Sequence, residues 1–296
     1  MLDTTDVINK ISEALRIPQK NILNITASKK GMTNRSFLFT YNNQKYIARI
    51  PGEGTEQLLN RNQEYNTYQI LKNTQICDDI LYFSPETGFK ITRFILDTHT
   101  CDAHNPKEVE KCMHFLRKFH DKNLKTDYTF DLFKQIEFYE SLRNGIPSRY
   151  SNYNETKRKI YELKTYIDCQ PKHWTLAHID AVPDNFLFYN DLNNTEQIRL
   201  IDWEYAGMQD AHIDIAMFAI YSYYDFNPVN ELIHAYFHEG CPHSVKLKIY
   251  CYIAICGLLW SNWCEFKHLN GVEFGEYALR QYQYAEEYYD IFKSYH

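Results

Sequence analysis

The spacing of apolar residues changes character near Asp97, and that change limits the fold more than any other feature of the chain. Before it, apolar residues come in short alternating runs. Ser36-Phe37-Leu38-Phe39-Thr40-Tyr41 and Lys45-Tyr46-Ile47-Ala48-Arg49-Ile50 flank Asn42-Asn43, which predicts a β-hairpin with a short polar turn. Pro51-Gly52 closes the hairpin, and Gly31 marks a turn before it. Residues 80–83 and 89–95 predict two more strands, parted by Pro85 and Gly88. Helical spacing appears over 5–16, with Val7, Ile8, Ile11 and Leu15 on one face, and again over 55–72. After Asp97 helices dominate. Asn105-Pro106 is an N-cap followed by proline at the first helical position, and the helix should run to about His120. Further helices are expected at 131–144, 154–167, 213–223, 228–239, 244–267 and 274–292, interrupted by short β-like runs at 175–178, 186–189 and 198–201. Such segregation predicts the α+β class. An N-terminal lobe with an antiparallel β-sheet and one helix, residues 1–96, precedes a larger, mainly helical lobe, residues 97–296, with a cleft between them.

Composition narrows the functional classes. The net charge of −6 argues against a nucleic-acid partner, which would need a basic stripe. The eight cysteines are scattered with no Cys-x-x-Cys pair, so they read as reduced thiols packed like small apolar residues. Met1 to Asp6 is acidic and lacks a signal peptide's apolar core. The longest apolar run, 249–260, is too short to span a bilayer and reads as a buried helix. A cytoplasmic protein without membrane insertion is expected; oligomeric state is not legible. His234, His238 and His243 suit a solvated helix face better than a metal site, because no carboxylate or cysteine stands beside them at zinc spacing. Aromatics make 16% of the chain, including 25 Tyr, which suits either an aromatic core or a site built from ring faces.

The β-like insert holds the residues that carry chemistry. His178-Ile179-Asp180-Ala181-Val182-Pro183-Asp184-Asn185 has the spacing H-x-D-x-x-x-x-N, and Ile201-Asp202-Trp203-Glu204 follows. A loop bearing Asp and Asn, then a hairpin ending in Asp, can supply a phosphoryl-transfer set: one carboxylate for the hydroxyl proton, and an Asn and an Asp for Mg²⁺. Alone, the loop also suits turn-capping by Asp and Asn. The apolar strand before Asp202 and the β-rich first lobe, in this order, favour the catalytic reading.

The run 178–187, followed by Leu200-Ile201-Asp202-Trp203-Glu204-Tyr205-Ala206-Gly207, resembles the choline/ethanolamine kinase family, and within it the bacterial choline kinases of phosphorylcholine decoration. The resemblance spans about 26–289 and implies a two-lobed, protein-kinase-like fold using ATP and Mg²⁺. It implies Asp180 as catalytic base, His178 and Asp214 in support of the catalytic loop, and Asn185 and Asp202 as Mg²⁺ ligands with Glu204 a further contact. On the ATP side it implies a phosphate turn with Gly31, Thr33, Asn34 and Ser36, and Arg49 as the phosphate cation paired with Glu64. Arg93, Phe94 and Ile95 would form a hinge facing adenine. The first lobe lacks G-x-G-x-x-G, no Arg stands between His178 and Asp180, and no long activation segment is evident, so a small-molecule kinase is expected over a protein kinase.

For the acceptor, Trp260 and Trp263 fall at i and i+3 on one helix face. On an arbitrary helix they would be core residues; the resemblance implies a choline cage, which Tyr205, Tyr224, Phe226 and Tyr277 would extend and whose cation Asp180 would also face. Kinases for ethanolamine or an aminoglycoside are the neighbouring alternatives, and a catalytically inactive relative that binds nucleotide or choline is the alternative of another class. Ethanolamine would want hydrogen-bond acceptors where choline wants bare rings.

Overall fold

The computed structural model describes residues 3–28, 34–52 and 58–296. Two compact units emerge: residues 1–100 with 186–206, and residues 101–185 with 207–296.

The first unit is built on a five-stranded antiparallel sheet of order β1-β2-β3-β5-β4. Its strands are β1 (Leu23–Ala27), β2 (Asn34–Tyr41), β3 (Gln44–Pro51), β4 (Ile80–Phe83) and β5 (Lys90–Arg93). The β2–β3 turn is Asn42-Asn43, with φ of 49° and 59°. Positive φ at both central residues gives the turn the twist that neighbouring strands need, and Asn tolerates it. Helix α1 (Thr4–Leu15) lays Val7 and Ile11 on Phe39, Ala48 and Ile91, forming a small core. Among the described residues the unit carries a helix at each of the two places where helical spacing was read. Helix α2 (Arg61–Leu71) starts later than its apolar spacing implied, because the Asn60 side chain accepts hydrogen bonds from the Asn62 and Gln63 N–H groups and so caps it there.

Three short strands, β6 (His99–Thr100), β8 (Phe186–Asn190) and β9 (Glu196–Leu200), form a second sheet in this unit. Leu200 N–H donates to Ile76 O at 2.8 Å and Arg199 to Cys77 O at 2.7 Å. These bonds, with the β6–β8 pairing, are why residues 186–206 group with the first unit although residues 101–185 of the second precede them.

The second unit holds α3 (Pro106–His120), α4 (Leu132–Ser141), α5 (Tyr153–Cys169), α6 (Ile213–Tyr221), α7 (Phe226–Phe237), α8 (His243–Leu269) and α9 (Glu276–Tyr295). It also holds an antiparallel pair, β7 (Trp174–Ala177) with β10 (Gly207–Asp210). Strand β10 is absent from the sequence reading because Gly-Met-Gln-Asp shows neither alternation nor β-branched residues; pairing with β7 makes it a strand. Helix α8 is apolar nearly all round, as a helix surrounded by others should be. It has the length and composition to cross a membrane, yet 83% of its most apolar stretch is buried here against α4, α5, α6 and α9.

Gly257 allows the α8–α9 approach. A Cβ there would stand 2.6 Å from Gln281 O and 2.9 Å from both Ala285 N and Tyr284 Cβ. Backbone atoms cannot rotate away, so Gly257→Ala must push α9 outward. We expect a loss of about 1–3 kcal/mol in urea unfolding; unchanged stability would show that α9 shifts at no cost.

Candidate active site

In the first unit, buried charges meet between the sheet and α2. Arg49, on β3, forms an ion pair with Asp202. Asp202 follows β9 with φ of 69°, and the neighbouring Trp203 is fully buried, its indole N–H donating to Leu200 O at 2.7 Å. That bond stabilises the sharp turn in which Asp202 sits. Asp202 and Glu64 act on Glu204 in the same sense: burial above all, then these two carboxylates, raise the Glu204 carboxyl to about 7. Asn34 donates to Glu204 at 3.1 Å and Arg61 at 3.4 Å. Glu64 does not pair with Arg49 as expected. Its two oxygens are held by Lys90 at 2.8 Å and Arg61 at 2.9 Å. The Phe94 N–H, expected to face adenine, donates to Lys45 O at 3.0 Å, and Arg93 N–H to Asp79 O at 3.0 Å. Ile95 is half-buried, and Ser36 stands opposite Arg49 in the β2–β3 register. Gly31 and Thr33 lie outside the described residues.

In the second unit, β7 runs into the loop 178–185. Asp214, fully buried in the first turn of α6, accepts the His178 N–H at 2.9 Å on one oxygen and the Ile179 N–H at 2.8 Å on the other. His120 Nε2 lies 2.9 Å from Asp214 Oδ2, and its Nδ1 lies 2.8 Å from Tyr236 OH. Ile179 has φ of 70°, a conformation that costs a β-branched residue of order 1–3 kcal/mol. The fixed carboxylate holds it there and so aims the next residue, Asp180. At the loop's far end the Asn185 amide donates to Asp180 O at 2.9 Å and to its carboxylate at 3.2 Å.

Tyr277 and Tyr221, whose hydroxyls feel the Asp180 charge, belong to a chain of rings. Trp260 and Trp263 stand 5.9 Å apart, Trp263 and Phe274 5.0 Å, and Phe274 and Tyr277 6.2 Å. Tyr277 meets Tyr221 at 6.1 Å and Tyr223 at 6.2 Å. Tyr221 donates to Asp184 at 2.8 Å. Burial raises the Tyr277 and Tyr221 hydroxyls, and the Asp180 charge pushes both further up. The carboxylate is therefore within electrostatic reach of both rings. Lys267 stands 5.5 Å over Trp263, so that ring already faces a cation.

The sequence profile of the family described as choline/ethanolamine kinase matches residues 25–254. The chain belongs to the choline/ethanolamine kinase family. It is 24% identical over 274 residues to protein LicA of Haemophilus influenzae, a match covering 85% of this chain and 76% of that protein. Among solved structures it is similar to the choline kinase LicA of Streptococcus pneumoniae, at 27% identity and a TM-score of 0.82, with 97% of this chain and 98% of that one covered. A LicA structure in complex with AMP matches at 27% identity and a TM-score of 0.81, over 97% of this chain and 98% of that one. The chain is accordingly an ATP-dependent small-molecule kinase of kinase-like fold.

For a choline/ethanolamine kinase family member, the second unit thus brings Asp180, His178, Asn185 and Asp214 together, with Tyr277 within electrostatic reach of Asp180 and Trp260 and Trp263 joined to Tyr277 through Phe274. Two expected cage residues lie elsewhere. Tyr224 donates its hydroxyl to Ala103 O and packs on Phe218, while Phe226 stacks on Tyr295 and leans on Tyr250. Ungapped counting pointed to them; Tyr221 and Tyr223 are the rings that meet Tyr277. Tyr205 is buried in the first unit with Asp202 and Glu204. Sequence reading also missed Lys90, His120 and Phe274. His120 carried a signal, since it continues the apolar face of Cys112, Leu116 and Phe119 at a position where histidine needs a buried partner.

The donors expected for Mg²⁺ suit that ion. Asp202, Glu204 and the Asn185 amide oxygen are hard oxygen donors, and the Asn185 amide nitrogen is spent on Asp180. Burial, then Asp202 and Glu64, raises the Glu204 carboxyl, and a cation beside it would favour its charged form. A carboxyl held toward its neutral form contributes stability that is complete below its ordinary value and lost as pH rises through about 7. Glu204→Gln should flatten the fall in unfolding free energy between about pH 4.5 and 7. An unaltered slope in urea titrations would assign that fall to another group.

Proposed function

We propose that the chain transfers the γ-phosphoryl group of ATP to the hydroxyl of choline. Asp180 orients that hydroxyl and accepts its proton. Phosphoryl transfer passes through a loose transition state, so a carboxylate of ordinary basicity is enough, and positioning with charge neutralisation carries most of the catalysis. Asp214 positions Asp180 through the His178 and Ile179 N–H groups, and Asn185 steadies its carboxylate. Arg49 serves as the phosphate cation, and Asn34 and Ser36 belong to the phosphate side of the first unit. Asn185, Asp202 and Glu204 are the groups that would hold Mg²⁺, which when bound offsets charge on the triphosphate.

The observation that carries the choline reading is the run of rings that reaches Tyr277 and Tyr221, the two rings within electrostatic reach of Asp180. A trimethylammonium group donates no hydrogen bonds, and each aromatic face contributes about 0.5–2 kcal/mol depending on desolvation. Trp260, Trp263, Phe274, Tyr277, Tyr221 and Tyr223 offer such faces within one unit. Ethanolamine remains the second reading, on one observation: Asp184 and Tyr221 place polar groups at the end of the ring chain, where an N–H donor would find acceptors.

Steady-state ATP consumption with choline, ethanolamine and an aminoglycoside separates the readings. Choline should be turned over far better than the other two. Asp180→Asn should lower kcat at least about 100-fold with every acceptor, and Asp202→Ala should nearly abolish turnover. Trp260→Ala should raise the choline KM about ten-fold, the equivalent of one lost ring face, with the ATP KM unmoved. Ethanolamine preferred over choline would replace the cage by the Asp184 reading. ATP binding without turnover of any acceptor would point to an inactive relative.

A further inference from the structure

Arg49 and Lys90 stand directly opposite each other on β3 and β5, so their side chains leave the same face of the sheet. Like charges in directly opposed positions repel, and each cation therefore needs an acid of its own. The available carboxylates are divided between them. Arg49 turns to Asp202, with about a fifth of its side chain still exposed. Lys90 is 2% exposed and sits between Glu64 Oε1 at 2.8 Å and Tyr68 OH at 2.9 Å, its ammonium 4.4 Å over the Tyr68 ring. Arg61 takes the other Glu64 oxygen at 2.9 Å. Both oxygens of Glu64 are thus engaged by cations other than Arg49. Lys90 is too deeply enclosed to meet a nucleotide itself.

We infer that Lys90 is a positioning residue for ATP: by occupying Glu64 it keeps that carboxylate off Arg49 and leaves the guanidinium directed toward the triphosphate. The inference rests on the reading of Arg49 as the phosphate cation. It assigns α2 a role other than the expected one. The helix glutamate does not aim the phosphate cation; a second cation, from the neighbouring strand, holds the glutamate away. Without the Lys90 charge, Glu64 regains an unpaired oxygen and its pull falls on the guanidinium across the strand. ATP would then meet an Arg49 drawn to a second carboxylate besides Asp202.

Steady-state kinetics of the full chain test this, with ATP and the acceptor varied in turn. Lys90→Met should raise the ATP KM about ten-fold, a loss of ground-state binding, while the acceptor KM stays within about two-fold. Lys90→Arg should keep the ATP KM near that of the unmodified chain. Lys90→Met combined with Glu64→Gln should restore it, because the competing carboxylate is gone. If Lys90→Met does not fold, as thermal melting would reveal, Lys90→Gln removes the charge while keeping a hydrogen-bonding group for Tyr68, with the same expectation. A fall in melting temperature or kcat with the ATP KM unmoved would overturn the inference and leave Lys90 a core cation only. So would a raised ATP KM that the added Glu64→Gln does not restore. Arg49→Met separates the two levels of argument. If it leaves the ATP KM unmoved, the reading of Arg49 fails; if it raises the ATP KM and Lys90→Met does not, only the role of Lys90 fails.

Discussion

The catalytic loop depends on one buried carboxylate. Asp214 offers one oxygen to the His178 N–H and the other to the Ile179 N–H, and the first of these oxygens also meets His120. Without that acceptor, two buried donors would be unsatisfied, each at a cost of about 1–3 kcal/mol. The bond to Ile179 also sustains a left-handed backbone at a β-branched residue. Asp214 tolerates full burial because of where it sits. It lies in the first turn of α6, where unpaired N–H groups favour negative charge. The strain at Ile179 is thus offset by the carboxylate, and the direction of Asp180 follows from both.

The first unit solves a different electrostatic problem. Three buried or half-buried cations, Arg49, Arg61 and Lys90, share Asp202, Glu204 and Glu64. Cross-strand opposition of Arg49 and Lys90 forces the sharing, because neither can take both neighbouring acids without leaving the other cation buried and unpaired. Burial above all, then the neighbouring Asp202 and Glu64, displaces the Glu204 carboxyl upward to about 7. The result is a set of charges held close to balance before any nucleotide arrives.

Aromatic content serves both packing and chemistry. Most tyrosines of the second unit are spent on its core: Tyr284 donates to Tyr224 O, Tyr282 stacks on Tyr150, and Tyr288 packs on Tyr250. Tyr221 and Tyr277, which feel the Asp180 charge, are proposed to face a cation instead. The same residue type thus carries two roles within a few residues of chain, as Tyr223 and Tyr224 do: Tyr223 is half-exposed beside Tyr277, while Tyr224 is buried against Ala103 and Phe218.

Local pattern was enough for the hairpin at 34–51, the long helices and the catalytic loop, because turn residues, helical spacing and the H-x-D-x-x-x-x-N run act over a few residues of chain. The same holds for singling out Asp180, Asn185 and Asp202, whereas Asp214 was singled out through the family resemblance. Pairings between distant segments were not legible. Glu64 was matched to the wrong cation because the register that sets Lys90 opposite Arg49 depends on strand pairing, and a register is a property of two segments. Phe226 and Tyr224 were placed by counting along the chain, whereas ring positions are set by how α6, α7 and α8 pack. Strand β10 and the grouping of 186–206 with the first unit have the same origin. The sequence by itself determined which residues can carry the chemistry, since that depends on side-chain type and local spacing; the tertiary structure decided which partner each one meets, since burial makes charges and rings compete for neighbours that only the folded chain brings near.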